Sequence, residues 1–151
     1  MYRGILLALA LAAASPSSEP ALVPNRIILR VTDLAKSVAF YRDQVGLPLQ
    51  NAFDEFAVLG RGGTTVMLQQ VTGKSSGAST GLASLTEVVL ESADVFASYQ
   101  LLKSRGVVFR REPAAATTDG AKVLYVVDFR DPDGHVLSIT GWVLQPNPRS
   151  E

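Results

Sequence analysis

The sequence contains no cysteine in 151 residues. That excludes disulfides, thiolate metal sites and a cysteine nucleophile. It contains a single histidine, His135, which excludes any site that needs two imidazoles on one metal. An excess of one charge is also missing, since 14 basic side chains stand against 14 acidic ones. No basic surplus points to nucleic acid, and no acidic tail points to a solvating segment. The apolar run Gly4–Ala14 is far shorter than the ~20 residues that span a bilayer. What remains is an ordinary soluble mixture, 47% hydrophobic and 19% charged, long enough for one domain with a real core.

The N-terminus reads as a targeting segment. Arg3 supplies a positive start, Gly4–Ala14 an apolar run, and Ala12-Ala13-Ala14 a small-residue cleavage pattern. Residues 1–20 are therefore expected to be a signal peptide and spacer, followed by a domain over 22–146 and a tail over 147–151. The competing reading of the run is a buried N-terminal helix. With a signal, the chain is exported, periplasmic or secreted, and not a membrane protein once the signal is removed.

The domain repeats itself. Asn25–Val31 is β-rich, Asp33 is suited to cap a helix, and Leu34, Val38, Tyr41 and Val45 share one helical face. Gly46 stops that helix. Extended segments are expected at 47–53, 56–59 and 64–71. The order then returns: a strand at 85–91, a cap at Asp94, a face of Val95, Tyr99 and Leu102, a stop at Gly106, and strands at 107–111, 122–129 and 135–143. The two units are offset by about 60 residues, a tandem βαβββ repeat, with modules over 25–71 and 84–143. The Ser/Gly-rich stretch 72–81 reads as the linker. The expected fold class is α+β: two modules forming a curved mixed sheet with a concave cavity and helices outside. Function is sought on strand residues facing away from the helices.

Two motifs carry a family resemblance. Leu29-Arg30-Val31-Thr32-Asp33-Leu34, with Ser37, Phe40-Tyr41 and Gly46-Leu47, resembles the first-module signature of glyoxalase I and its relatives. Phe129-Arg130-Asp131-Pro132-Asp133-Gly134-His135 resembles the turn before the last strand in the same superfamily, the vicinal-oxygen-chelate or glyoxalase/bleomycin-resistance/dioxygenase type. The matches span about 25–143. The resemblance alone fixes no activity, because this fold hosts lyases, dioxygenases, resistance transferases and binding proteins.

It also implies four metal-ligand positions, two per module. They fall here on Arg26, on Met67 or Gln69 (equal in strand parity), on Glu87 and on Ser138. Guanidinium has no lone pair to donate and stays protonated. Ser138 replaces a charged oxygen donor with a weak neutral one. The expectation is no metal and no other cofactor. The Asp-Pro-Asp-Gly turn is hairpin chemistry, and His135 reads as a turn residue with a solvated ring.

Strand alternation then defines a polar wall: Arg26 with Arg30, Gln69, Glu87 with Glu91, Ser138 with Thr140, and Asp128. These are the candidate ligand-binding residues. Arg30 also matches an arginine that contacts the substrate carboxylate in glyoxalase I. Arg26 either pairs with Glu87 across the modules or binds an anion directly. The expected function is a metal-free, exported glyoxalase-like domain that binds a small polar or anionic molecule. The alternative is a metal-dependent lyase of the glyoxalase I type. Whether the chain is an enzyme stays open, as does the choice between monomer and homodimer, with modules paired within one chain or swapped between two.

Overall fold

The computed structural model describes residues 25–71 and 87–145. Residues 1–24, which include the expected signal segment, 72–86, which include the expected linker and the start of the second module, and 146–151, which include the expected tail, lie outside the described residues. The fold is α+β, with two βαβββ modules in tandem. The first holds β1 (Arg26–Val31), α1 (Leu34–Ala39), β2 (Leu49–Ala52), β3 (Phe56–Leu59) and β4 (Thr65–Gln70). The second holds β5 (Glu87–Glu91), α2 (Val95–Ser104), β6 (Ala114–Asp119), β7 (Lys122–Arg130) and β8 (Val136–Leu144).

Each module forms a mixed four-stranded sheet, ordered β1-β4-β3-β2 and β5-β8-β7-β6. In both, the strand before the helix runs parallel to the last strand, and the other pairs are antiparallel. The helix supplies the crossover that a parallel pair requires.

Capping follows the sequence. Asp33 accepts from the Lys36 amide at 3.0 Å, and Asp94 accepts from the Ala97 amide at 2.9 Å, each satisfying an otherwise orphaned first-turn donor. Gly46 ends the first helical run at φ +89°, the left-handed conformation that glycine adopts without steric cost. The first helix is not α-helical throughout. It widens into a π-helical turn over Phe40–Val45, where Phe40, Tyr41 and Val45 are all buried. A single apolar cluster joins Leu29, Val31 and Leu68 of one module to Val88, Leu137 and Ile139 of the other.

One expected strand is corrected. Residues 107–111 make only an isolated bridge, Phe109 to Phe129, and the strand lies further on, at Ala114–Asp119. Phe109 is held as a plug instead. Its ring packs edge-on against Tyr99 and Phe129, with centroids 4.8 and 5.3 Å away. β6 hides from a pattern reading because all six of its residues are exposed, so it has no apolar alternation. The two-residue turn Gly120–Ala121, with Gly120 at φ +57°, fixes its register against β7.

Candidate functional site

Pairing in the ladder places the candidate side chains. β1 and β4 align Arg26 with Thr65, Ile28 with Met67 and Arg30 with Gln69. Aligned residues share a face, so Arg26, Arg30, Met67 and Gln69 lie together, opposite the side that α1 covers. Gln69 stands beside Arg30 rather than Arg26. Leu29 and Val31, of the other parity, are buried under the helix. In the second module, Glu87, Val89 and Glu91 align with Val136, Ser138 and Thr140, and Asp128 faces Ser138 from β7.

These positions form two surfaces. Arg26, Arg30 and Gln69 are exposed on one, and Glu87 and Glu91 are exposed on the other. Between the charges stand Ile28 and Val89, at 55% and 59% exposure, unusually open for aliphatic side chains at the centre of strands. Ser138 is buried, and Thr140 and Asp128 are half-buried. Asp128 is engaged: Arg111 Nε donates to its Oδ1 at 2.9 Å. Arg111 was not among the sequence candidates. It lies in the loop before β6 and its partner is on β7, 17 positions away, so nothing local signals the pair.

The Arg26–Glu87 ion pair does not form within the chain. Among the described residues the ion pairs are Arg42–Asp43, Arg111–Asp128 and His135–Asp131. Arg26 Nε donates to Thr65 Oγ1 at 3.3 Å instead. Arg26, Arg30, Glu87 and Glu91 thus carry no ionic partner among the described residues.

The ligand positions implied by the fold do not suit a divalent metal. Arg26 offers donors only, and its charge repels a cation. Ser138 is a neutral hydroxyl. No cluster of three His, Asp or Glu side chains able to hold a metal occurs among the described residues. His135 is committed elsewhere. Its Nδ1 lies 2.8 Å from Asp131 Oδ2, and because a carboxylate only accepts, Nδ1 carries the proton. The turn reading of His135 therefore holds, but its ring is held by Asp131 rather than left to solvent.

That turn does more than reverse the chain. Asp131 is buried and accepts from the Tyr41 hydroxyl at 2.9 Å and from the amides of Asp133 and His135 at 3.0 and 2.8 Å. Asp133 accepts from the Thr32 amide and hydroxyl at 2.9 and 2.6 Å and from the Ser37 hydroxyl at 3.0 Å. Two carboxylates of the second module therefore clamp the helix of the first. Burial of its hydroxyl, reinforced by the neighbouring Asp131 charge, pushes Tyr41 far above the usual phenol range. Partial burial pushes Asp133 up, but the hydrogen bonds from Thr32 and Ser37 outweigh it and hold that carboxyl below its ordinary value.

Known proteins share this architecture. A family model described as the Glyoxalase/Bleomycin resistance protein/Dioxygenase superfamily matches residues 23–139. The Bacillus subtilis (strain 168) protein YraH, itself uncharacterized, is 31% identical over 124 residues, which is 76% of this chain and 94% of that one. A glyoxalase/bleomycin resistance protein/dioxygenase from Nocardioides superposes with a TM-score of 0.66 at 21% identity, covering 89% of this chain and 93% of its own. A lactoylglutathione lyase from Agrobacterium tumefaciens superposes with a TM-score of 0.63 at 19% identity, covering 81% and 95%. At such identities the superpositions speak for the fold alone. Two βαβββ modules in order, with the family match spanning both, place the chain in the glyoxalase/bleomycin resistance protein/dioxygenase superfamily.

Proposed function

We propose that this domain binds a small polar or anionic molecule on its open sheet faces without a metal, and that a second copy of the chain completes the site. The observation that carries the reading is the pair of exposed arginines, Arg26 and Arg30, on one strand face with no ionic partner among the described residues. Four residues along a strand span roughly 13 Å, so the face offers two anchoring points rather than one clamp. A guanidinium fork suits carboxylate or phosphate, and Gln69 beside Arg30 adds an amide that both donates and accepts. Glu87, Glu91 and Thr140 supply acceptors from the second face, where Ser138 is buried and Asp128 is held by Arg111.

The two faces are complementary in charge. Arg26 and Arg30 on one would stand across the bound ligand from Glu87 and Glu91 on the other, and Ile28 and Val89 would be covered together. Two chains related by a two-fold axis make that contact twice. Export is part of the proposal, since residues 1–20 carry the pattern of a secretory signal.

The experiment is a thermal-shift and calorimetric screen of small carboxylates and phosphates on the dialysed protein. Hits are then repeated on the Arg26→Met/Arg30→Met variant. The expected result is at least a tenfold loss of affinity, about 1.4 kcal/mol; a hit that binds the variant unchanged removes the arginines from the site. Elemental analysis after exposure to Ni, Zn, Mn and Fe(II) tests the metal-free part. Less than about a tenth of a metal per chain supports it. Near one per chain would favour the metal-dependent lyase. Sedimentation of wild type against Ile28→Asp tests the dimer, which the aspartate should dissociate.

A further inference from the structure

The repeat creates two equivalent seams where the modules meet, and only one of them is fastened. Counted from the capping aspartates, Ser37 and Tyr41 of the first module correspond to Ser98 and Leu102 of the second. Counted from the strand ends, the turn Asp131–His135 corresponds to the turn from Gly60 to Thr64. At the first seam, Asp131 and Asp133 take the hydroxyls of Tyr41 and Ser37. At the second, Gly60 stands where Asp131 stands, Gly62 where Asp133 stands, and Leu102 where Tyr41 stands. Neither glycine has a side chain to offer. Ser98 lines the seam but makes no bond across it to the turn, sharing its hydrogen bond with Ser92 Oγ at 2.8 Å within its own module.

The unfastened seam is a half-open cleft of about 360 Å³, within the ~300–1,000 Å³ range of small-molecule sites. Its floor is apolar, formed by Val66, Val88, Leu102 and Ile139, all buried members of the core. Its rim carries one cation, Arg61 on the turn, and one anion, Glu91 at the end of β5. The two are not ion-paired with each other. An apolar floor with a separated cation and anion above it is matched by a molecule that carries the reverse arrangement.

We propose that this cleft is a second binding site, which takes a small zwitterion with an aliphatic body, of the class of free aliphatic α-amino acids. The carboxylate meets the Arg61 fork and the ammonium meets Glu91. The aliphatic chain lies on Val66, Val88 and Leu102, where its burial is favourable. A hydrocarbon would gain nothing from either charge, and a simple anion would face Glu91 without compensation. The floor lies across the strands from the open sheet faces, and the cleft shares with them only the edge of β5 at Val89 and Glu91.

The test is a methyl-detected NMR titration of the full chain with L-leucine, with 4-methylpentanoate and isoamylamine as single-charge controls. Saturable shifts are expected at the methyls of Leu102, Val88 and Ile139, with each control binding at least about tenfold more weakly. Arg61→Ala, at an exposed position, should weaken leucine at least about tenfold while keeping the spectrum of a folded chain. Leu102→Trp should fill the cleft and abolish binding, and Arg30→Met should leave it unchanged. No saturable shift at the seam methyls overturns the proposal. So does unchanged affinity in Arg61→Ala, or 4-methylpentanoate binding as tightly as leucine. Shifts at Ile28 and Met67 in place of the seam methyls would assign the ligand to the sheet faces and equally overturn it.

Discussion

At one seam a buried aspartate, a second carboxylate, a tyrosine, a serine and a threonine tie the modules together. At the other, glycines and a leucine occupy the matching places, and a cleft remains. Both lie beside the same apolar cluster, which runs through both modules. Burial of that cluster is non-directional and holds the modules in contact without choosing their orientation. The carboxylate clamp is directional, and one clamp suffices to choose it. A duplicated domain therefore has a spare junction, and the sequence there is free to open a cavity.

The sharpest way to break this asymmetry is Asp131→Ala. The Tyr41 hydroxyl, the His135 ring and two amides would all lose their acceptor at a buried site. Removing one partner of such a network is expected to cost about 3–5 kcal/mol, read as a fall in the urea midpoint. Substituting Arg61, on the corresponding turn of the other seam, should change the midpoint by no more than about 0.5 kcal/mol. Equal costs at the two seams would mean that neither is specially fastened.

A smaller effect tests how the second module closes on its own helix. Gly141 lies in β8 where the β5–α2 connection crosses it. A Cβ there would sit 2.7 Å from the Ser92 carbonyl oxygen and 3.1 Å from Val95 Cβ. Backbone cannot yield as a flexible side chain does, so Gly141→Ala should cost about 1–3 kcal/mol. The matching place in the first module is Gln70, whose Oε1 accepts from the Leu34 amide at 3.2 Å. Gln70→Ala should cost only about 0.5–1.5 kcal/mol, the range of one ordinary hydrogen bond. Denaturation of the two variants side by side checks the order. If Gly141→Ala is the milder, the close approach at β8 is not the constraint it looks.

Much of the fold was legible because its signals are local. Asp33 and Asp94 cap helices three residues away, and Gly46 and Gly106 stop them. Strand parity placed Arg26 and Arg30 on an open face and Leu29 and Val31 in the core, because period two admits no other arrangement. The failures involve partners far along the chain. Tyr41 and Asp131 are 90 positions apart, and the Asp-Pro-Asp-Gly turn is fully explained as a turn before any clamp is considered. Arg111 lies in the loop before β6 and Asp128 in β7, 17 positions on. β6 has no buried side, whereas 107–111 has the composition of a strand but spends Phe109 on the aromatic cluster. The cleft was the least legible feature of all, since it arises from residues that one seam has and the other lacks.

The finest distinction between the seams is titratable, since the turn from Gly60 to Thr64 places Thr64 where the other turn has His135. The His135 hydrogen bond to Asp131 raises the imidazole pKa above 6.5; partial burial opposes this, and the Asp131 and Asp133 charges add to it. The folded pKa therefore exceeds the unfolded one. The stability this supplies is complete below about 6.5 and is lost as pH rises through the higher, folded value. Between about pH 6 and about pH 8 the wild type should weaken, by less than about 1 kcal/mol because solvent screens a partly exposed ring. His135→Gln should flatten that slope while leaving the Tyr41–Asp131 bond in place. Asp133 has the opposite sign. Its lowered pKa contributes stability above about 3.8 that disappears as pH falls through the folded value. Urea midpoints across both windows separate the two groups. If the neutral-range slope survives His135→Gln, the proton responsible is not at this turn, and the clamp owes its strength to Tyr41, Thr32 and Ser37 alone.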